Sequence, residues 1–123
     1  MARFTPEPYH CAGPRHFVNG GVLATLIDCH CVCTAAAMAY RDAGREPGSG
    51  PDLHYATARL ALEYLRPTPI GVELELTARI VEHRERTYVL SCELGARGKV
   101  CVRATVDAVA VPASWIAVDH AAN

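Results

Sequence analysis

A single carboxylate stands inside a long apolar run. Asp28 lies within Val22–Tyr40, a stretch whose only other strongly polar side chain is His30. Its neighbours at helical spacing, Ala24, Thr25, Cys31 and Val32, are small enough to leave a cavity over it, and none is cationic. A buried carboxylate without a cation is driven toward its protonated form, which suits a general base. The competing reading is a structural carboxylate satisfied by hydrogen bonds from a neighbouring strand. Just ahead of the run, Gly20 and Gly21 open the helix without side chains. A carbonyl oxygen could there approach free backbone N–H groups at the positive end of the helix dipole. Asn19 reads first as the N-cap of that helix.

Cys29, Cys31 and Cys33, together with His30, invite a metal reading. Alternate positions on a helix point to opposite sides, so the three thiols cannot share one ion. Small core residues explain them better, and no metal is expected. The chain has six cysteines, and the opening MARFTPEPYH lacks the apolar segment of a secretory leader. A reduced, cytoplasmic setting is the expectation.

The elements that must position these groups follow from composition and period. With 123 residues, 50% hydrophobic and 20% charged, the chain has the size and apolar content of one domain, 1–123. Aromatics are only 7%, so the core must be packed from small parts. Twelve Lys and Arg against thirteen Asp and Glu leave a net charge of −1 with no basic stripe, which argues against a nucleic-acid partner. Pro6, Pro8, Gly13 and Pro14 punctuate an N-terminal segment expected to be irregular over 1–15, as is the tail 113–123. Val22–Tyr40 reads as a helix, with Gly44 at its C-terminal end and Arg41 and Arg45 suiting the negative end of the dipole. Its length approaches the roughly 20 residues of a membrane span. Asp28 and His30 near its middle, and the strands that follow, favour instead a core helix wrapped by the rest of the chain.

After the turn-rich loop Gly44–Asp52 the pattern switches to period two. Val72, Leu74, Leu76, Ala78 and Ile80 share one face; so do Tyr88, Leu90, Cys92 and Leu94, and then Val100, Val102, Ala104, Val106 and Ala108. The short links HRER and ARGK make these neighbours antiparallel, and YATARLALEYL precedes them. The expected class is α+β, one long central helix wrapped by a curled antiparallel sheet, the hotdog arrangement.

The string HFVNGGVLATLIDCH resembles the signature of the PaaI-like hotdog thioesterases, an HGG followed by a few apolar residues and T-L-x-D. Gly20, Gly21, Thr25, Leu26 and Asp28 match it in type and spacing, and YATARLALEYLRPTPIG resembles the family's second strand. The resemblance runs from about residue 16 to 112. Asn19 stands where the family usually has His, and Gly13 lies near the place of an upstream Asn or Gln that polarises the carbonyl in many relatives. The resemblance implies hydrolysis of an acyl-CoA thioester, with Asp28 as general base or nucleophile and the helix start at Gly21 polarising the carbonyl. Asn19 and Gly20 then lie beside substrate, and Thr57 aligns with a Ser or Thr that orients water in some relatives. His16 is the candidate to replace the missing amide. Arg84 and Arg86, and secondarily Arg97 and Lys99, are candidates for the CoA phosphates. No cofactor is expected beyond the CoA of the substrate, and no membrane partner.

Gly21 and Asp28 are seven residues apart, so they lie about 10 Å apart along one helix. A second copy could bring its helix start to the first copy's Asp28, and a homodimer or dimer of dimers with shared sites is expected. Two alternatives stay open: a non-catalytic acyl-CoA-binding protein and an enoyl-CoA hydratase-like enzyme. The latter pairs its carboxylate with a His, which His30, two residues on, cannot supply locally.

Overall fold

The computed structural model describes residues 1–112 and 114–115. Short strand β1 (Ala2–Phe4) and a 3-10 turn (Pro8–His10) precede helix α1 (Gly20–Asp42). Strands β2 (Tyr55–Tyr64), β3 (Leu74–Arg84), β4 (Thr87–Ala96) and β5 (Lys99–Ala110) follow. They form one antiparallel sheet in the order β1-β3-β4-β5-β2, curled over the helix as expected of a hotdog fold. The segment 1–15, expected to be irregular, contributes β1, which pairs with β3 through Ala2–Leu76 and Phe4–Leu74. Only three residues long, β1 is too short to show a hydrophobic period. Apart from Ser114 and Trp115, the expected irregular tail lies outside the described residues.

The period-two faces are as expected. Leu74 and Leu76 of β3, Tyr88, Leu90, Cys92 and Leu94 of β4, and Val102, Ala104, Val106 and Ala108 of β5 are buried. The helix meets this surface along one stripe: Leu23, Ile27, Cys31, Ala35 and Ala39, spaced every four residues. Here the expectation of a helix wrapped on all sides needs correcting. Gly21, Thr25, Cys29, Cys33 and Ala37, also spaced by four, are exposed. One curled sheet covers only one side of a cylinder, so the opposite side of an all-round apolar helix is left bare. The helix is long and apolar enough to cross a bilayer, but its buried stripe is part of the core.

Two edges of the sheet end differently. β1 is brief, whereas β2 is a ten-residue edge strand with one side of its backbone free of any described strand. Within β2 the register shifts between Thr57 and Arg59: Thr57 faces Ala108, Arg59 faces Asp107, and Ala58 is the extra residue of a β-bulge. Leu60 and Leu62 sit opposite the buried Val106 and Ala104 on the inner face. Strict alternation from them would send Thr57 outward. The bulge absorbs one residue and returns Thr57 and Tyr55 to the helix side.

Replacing Ile27, fully buried in the helix stripe, by Ala should cost about 2–5 kcal/mol in urea unfolding. A loss well under about 1 kcal/mol would mean that the helix is not held through this stripe.

Candidate functional site

Strand β2 grips helix α1 at two points. At its N-terminal half the Thr57 hydroxyl donates to Asp28 Oδ1. At its C-terminal end the Tyr64 hydroxyl donates to the Gly20 carbonyl oxygen at 2.8 Å. Both side chains must face the helix, and only the bulge at Ala58 lets positions 57 and 64 do so. Asp28 is therefore neither fully buried nor unpaired, as the sequence suggested: it is half-buried and held by one hydroxyl, because the helix face that carries it is only partly covered. Its second oxygen has no hydrogen-bond partner among the described residues. Thr57 is itself exposed, so the pair opens toward the bare side of the helix.

At the helix start, Asn19 caps as expected, its side-chain oxygen accepting from the Gly21 N–H at 2.7 Å. This corrects the expectation that the Gly21 N–H is free for a carbonyl oxygen. The N–H groups of Val22 and Leu23 are also taken, both donating to the Asn19 carbonyl. Among the described residues the Gly20 N–H is left without a partner, and so is the side-chain NH2 of Asn19, which the cap bond orients. Two donors thus remain beside Gly20, one of them a side chain. A Cβ at Gly21 would come within 3.1 Å of the Asn19 side-chain oxygen, so a side chain there would disturb the cap.

The remaining candidates are scattered. His16 is exposed in the loop before the helix, tied to the fold through its carbonyl, which accepts from Ile70 N–H. Arg84 and Arg86 lie at the β3–β4 hairpin, Arg84 paired with Glu82 at 3.2 Å and Arg86 donating to the Ala110 carbonyl at 3.2 Å. Cys31 is buried, while Cys29 and Cys33 are exposed on the opposite side, as the helical spacing requires. No cluster of three metal-binding side chains occurs among the described residues. Tyr64 was not legible as a site residue: alternation from Leu60 and Leu62 gives its face, but its reach to the Gly20 carbonyl depends on how the helix start lies against the strand.

His30 is partly buried, and this burial, then the N-terminal amino group, lowers its imidazole below the ordinary value of 6.5. The folded chain thus favours the neutral ring. The stability this contributes is complete above about pH 6.5 and is lost as pH falls through the lowered folded value.

The sequence profile of the thioesterase superfamily matches residues 16–103. The chain is 30% identical over 91 residues to the acyl-coenzyme A thioesterase THEM4 of Xenopus laevis, a match covering 74% of this chain and 35% of that protein. It thus spans about a third of the length of that curated relative. Among solved structures it is similar to a thioesterase superfamily protein from Shewanella loihica, at 40% identity and a TM-score of 0.72 over 90% of this chain and 82% of the other. It shares the fold of the PaaI protein from the phenylacetic acid degradation operon of E. coli, with a TM-score of 0.73 at 17% identity over 89% and 70% of the two chains.

Asn19→Ala should lower stability by about 1 kcal/mol in thermal unfolding, whereas Asn19→Asp, which can still accept from Gly21 N–H, should keep it. Equal losses would mean that the cap is not what Asn19 contributes. His30→Gln should flatten the decline of melting temperature between about pH 7 and pH 5.5; an unchanged slope would remove His30 from the acid response.

Proposed function

The chain belongs to the thioesterase superfamily, and we propose that it hydrolyses an acyl-CoA thioester to the free acid and CoA, with Asp28 as general base or nucleophile. The observation that carries this reading is the double grip of β2: one strand fixes a carboxylate through Thr57 and a helix start through Tyr64. Thr57 donates to one carboxylate oxygen and still has lone pairs for a water. The other carboxylate oxygen takes the proton as that water attacks the thioester carbonyl, or attacks the carbonyl itself to give, once the thiolate has left, an acyl-Asp28 anhydride that the water then cleaves to the free acid. The oxyanion that forms meets the Gly20 N–H, the Asn19 NH2 and the positive helix end. The thiolate then leaves and is protonated.

Asp28 and the helix start of one chain lie too far apart for this, about 10 Å along the axis. The free edge of β2 offers the remedy. Pairing β2 antiparallel with β2 of a second copy, about the strand's middle, sets position 57 of one strand near the C-terminal end of the other. Asp28 of one copy then approaches Gly20 of its partner, and the two bare helix faces come together. A homodimer, or a dimer of dimers, with two shared sites is therefore part of the proposal. It is supported by the unpaired ten-residue edge and the exposed stripe from Gly21 to Ala37. THEM4 is described as an acyl-coenzyme A thioesterase, which favours CoA as the carrier. Arg84 and Arg86, at the hairpin beside the bulge, stay candidates for its phosphates. A cytoplasmic setting accords with six unpaired thiols.

Asp28→Asn keeps an oxygen to accept from Thr57 but cannot take a proton. Thioester turnover, followed by thiol release over a panel of acyl-CoAs, should fall by about 10² to 10⁴ while the melting temperature holds or rises. Near-normal turnover by the folded variant would refute the assignment. Light scattering at micromolar concentration should give a dimer or tetramer mass; a monomer that turns over substrate would sink the shared site.

A further inference from the structure

Two hydroxyls at the helix start stand at the heads of two hydrogen-bond chains. Tyr64 donates to the Gly20 carbonyl oxygen at 2.8 Å. Its ring lies against Gly20, where an added Cβ would stand 3.4 Å from the hydroxyl oxygen and 3.5 Å from Cζ. The other end of that same peptide group is the Gly21 N–H, which donates to Asn19 Oδ1 at 2.7 Å. The other end of this side-chain amide is the Asn19 NH2, one of the two donors left beside Gly20 without a partner among the described residues. The second chain begins at Thr25, whose hydroxyl donates to the Gly21 carbonyl oxygen at 2.9 Å. The same peptide carries the Val22 N–H, which donates to the Asn19 carbonyl oxygen at 3.1 Å. The far end of the Asn19–Gly20 peptide is the Gly20 N–H, the other of the two donors.

An amide that accepts a hydrogen bond at its oxygen donates more strongly from its nitrogen, and bonds in series polarise one another by roughly 10–30% each. In both chains every bond runs the same way, from hydroxyl to carbonyl, then from N–H to carbonyl, and out to a donor. We infer that Tyr64 and Thr25 are positioning residues for thioester cleavage, Tyr64 acting through the Gly20–Gly21 peptide on the Asn19 NH2, and Thr25 through the Gly21–Val22 peptide on the Gly20 N–H. This rests on the proposed hydrolysis and gives neither hydroxyl a proton to transfer. Negative charge gathers on the carbonyl oxygen only as the bond to the attacking oxygen forms. The gain therefore falls on kcat rather than on binding of the uncharged thioester. The two chains differ in origin. Thr25 acts from within the helix, whereas Tyr64 reaches in from β2, so the strength of Asn19 as a donor depends on how the edge strand is seated on the helix.

Tyr64→Phe and Thr25→Val keep the shape of each side chain and remove its hydroxyl. Each should lower kcat for an acyl-CoA about three- to tenfold and leave KM within about twofold. Because the chains are separate, the two losses should multiply in the double variant. In an Asn19→Ala background, Tyr64→Phe should cost no further kcat, while Thr25→Val keeps its full effect. A Tyr64 hydroxyl that only fastened the strand, or that touched substrate itself, would cost the same factor with and without the Asn19 amide, and that result would overturn the assignment. Proton–nitrogen NMR of the full chain reads the wiring without substrate. Tyr64→Phe should move the Gly21 N–H and Asn19 NH2 protons upfield and leave the Gly20 N–H in place. Thr25→Val should move the Val22 and Gly20 N–H protons and leave the Asn19 NH2 in place. Such crossed shifts without hydrolysis of any acyl-CoA remove the enzyme reading and keep the wiring. Hydrolysis with Asn19 resonances unmoved by Tyr64→Phe removes the wiring and keeps the enzyme.

Discussion

The structure depends on how one edge strand meets one helix. β2 fastens α1 through two hydroxyls, Thr57 on Asp28 and Tyr64 on the Gly20 carbonyl. Between these anchors lies a β-bulge that consumes a single residue, Ala58. Removing the parity change would leave the inner face of β2 correct at one end and reversed at the other. The carboxylate and the helix start would then lose their common ruler. Because the same strand is the sheet's free edge, whatever pairs with it is set in register with both anchors at once.

The helix is a compromise between core and interface. Its stripe from Leu23 to Ala39 is buried against β3, β4 and β5, and this apolar burial holds it in place. Its other side, made of Gly21, Thr25, Cys29, Cys33 and Ala37, is as poor in bulk as a close-packed contact between helices would require, yet it is exposed in one chain. At the far end, Tyr88 donates to Asp42 at 2.6 Å and stacks on His83, tying the last turn of the helix to β3 and β4. Both ends of the helix are thus pinned to the sheet, and between them Asp28, held by Thr57, stays half-buried.

Much of this was legible in the residues. Asn19 ahead of two glycines, Gly44 at the end, and the strict alternation from Val72 to Ala108 fixed the helix and three strands with their inner faces. What escaped is instructive. β1 is three residues long and is recruited by the edge of β3, which no local period announces. The bulge at Ala58 has no mark in YATARLALEYL, and so the facing of Thr57 could not be derived, whereas Tyr64 keeps the parity of Leu60 and Leu62. An apolar run says that a helix is covered, not by which molecule; hence the wrapped helix of the sequence became a half-covered one. The Asn19 cap was read correctly, but its consequence, that the Gly21 N–H is occupied and the Gly20 N–H is left, needed the hydrogen-bond geometry.

The central claim is that carboxylate and helix start act from different copies of the chain. Mixed dimers test it most directly. Asp28→Asn and Asn19→Asp chains would be co-expressed under different tags, the heterodimer isolated through both, and its thioester turnover compared with that of each parent. In a shared site, one of the two heterodimer sites pairs an intact Asp28 with an intact Asn19, and turnover well above both parents is the expected result. A heterodimer no more active than its parents would place both groups in the site of a single chain and contradict the shared site.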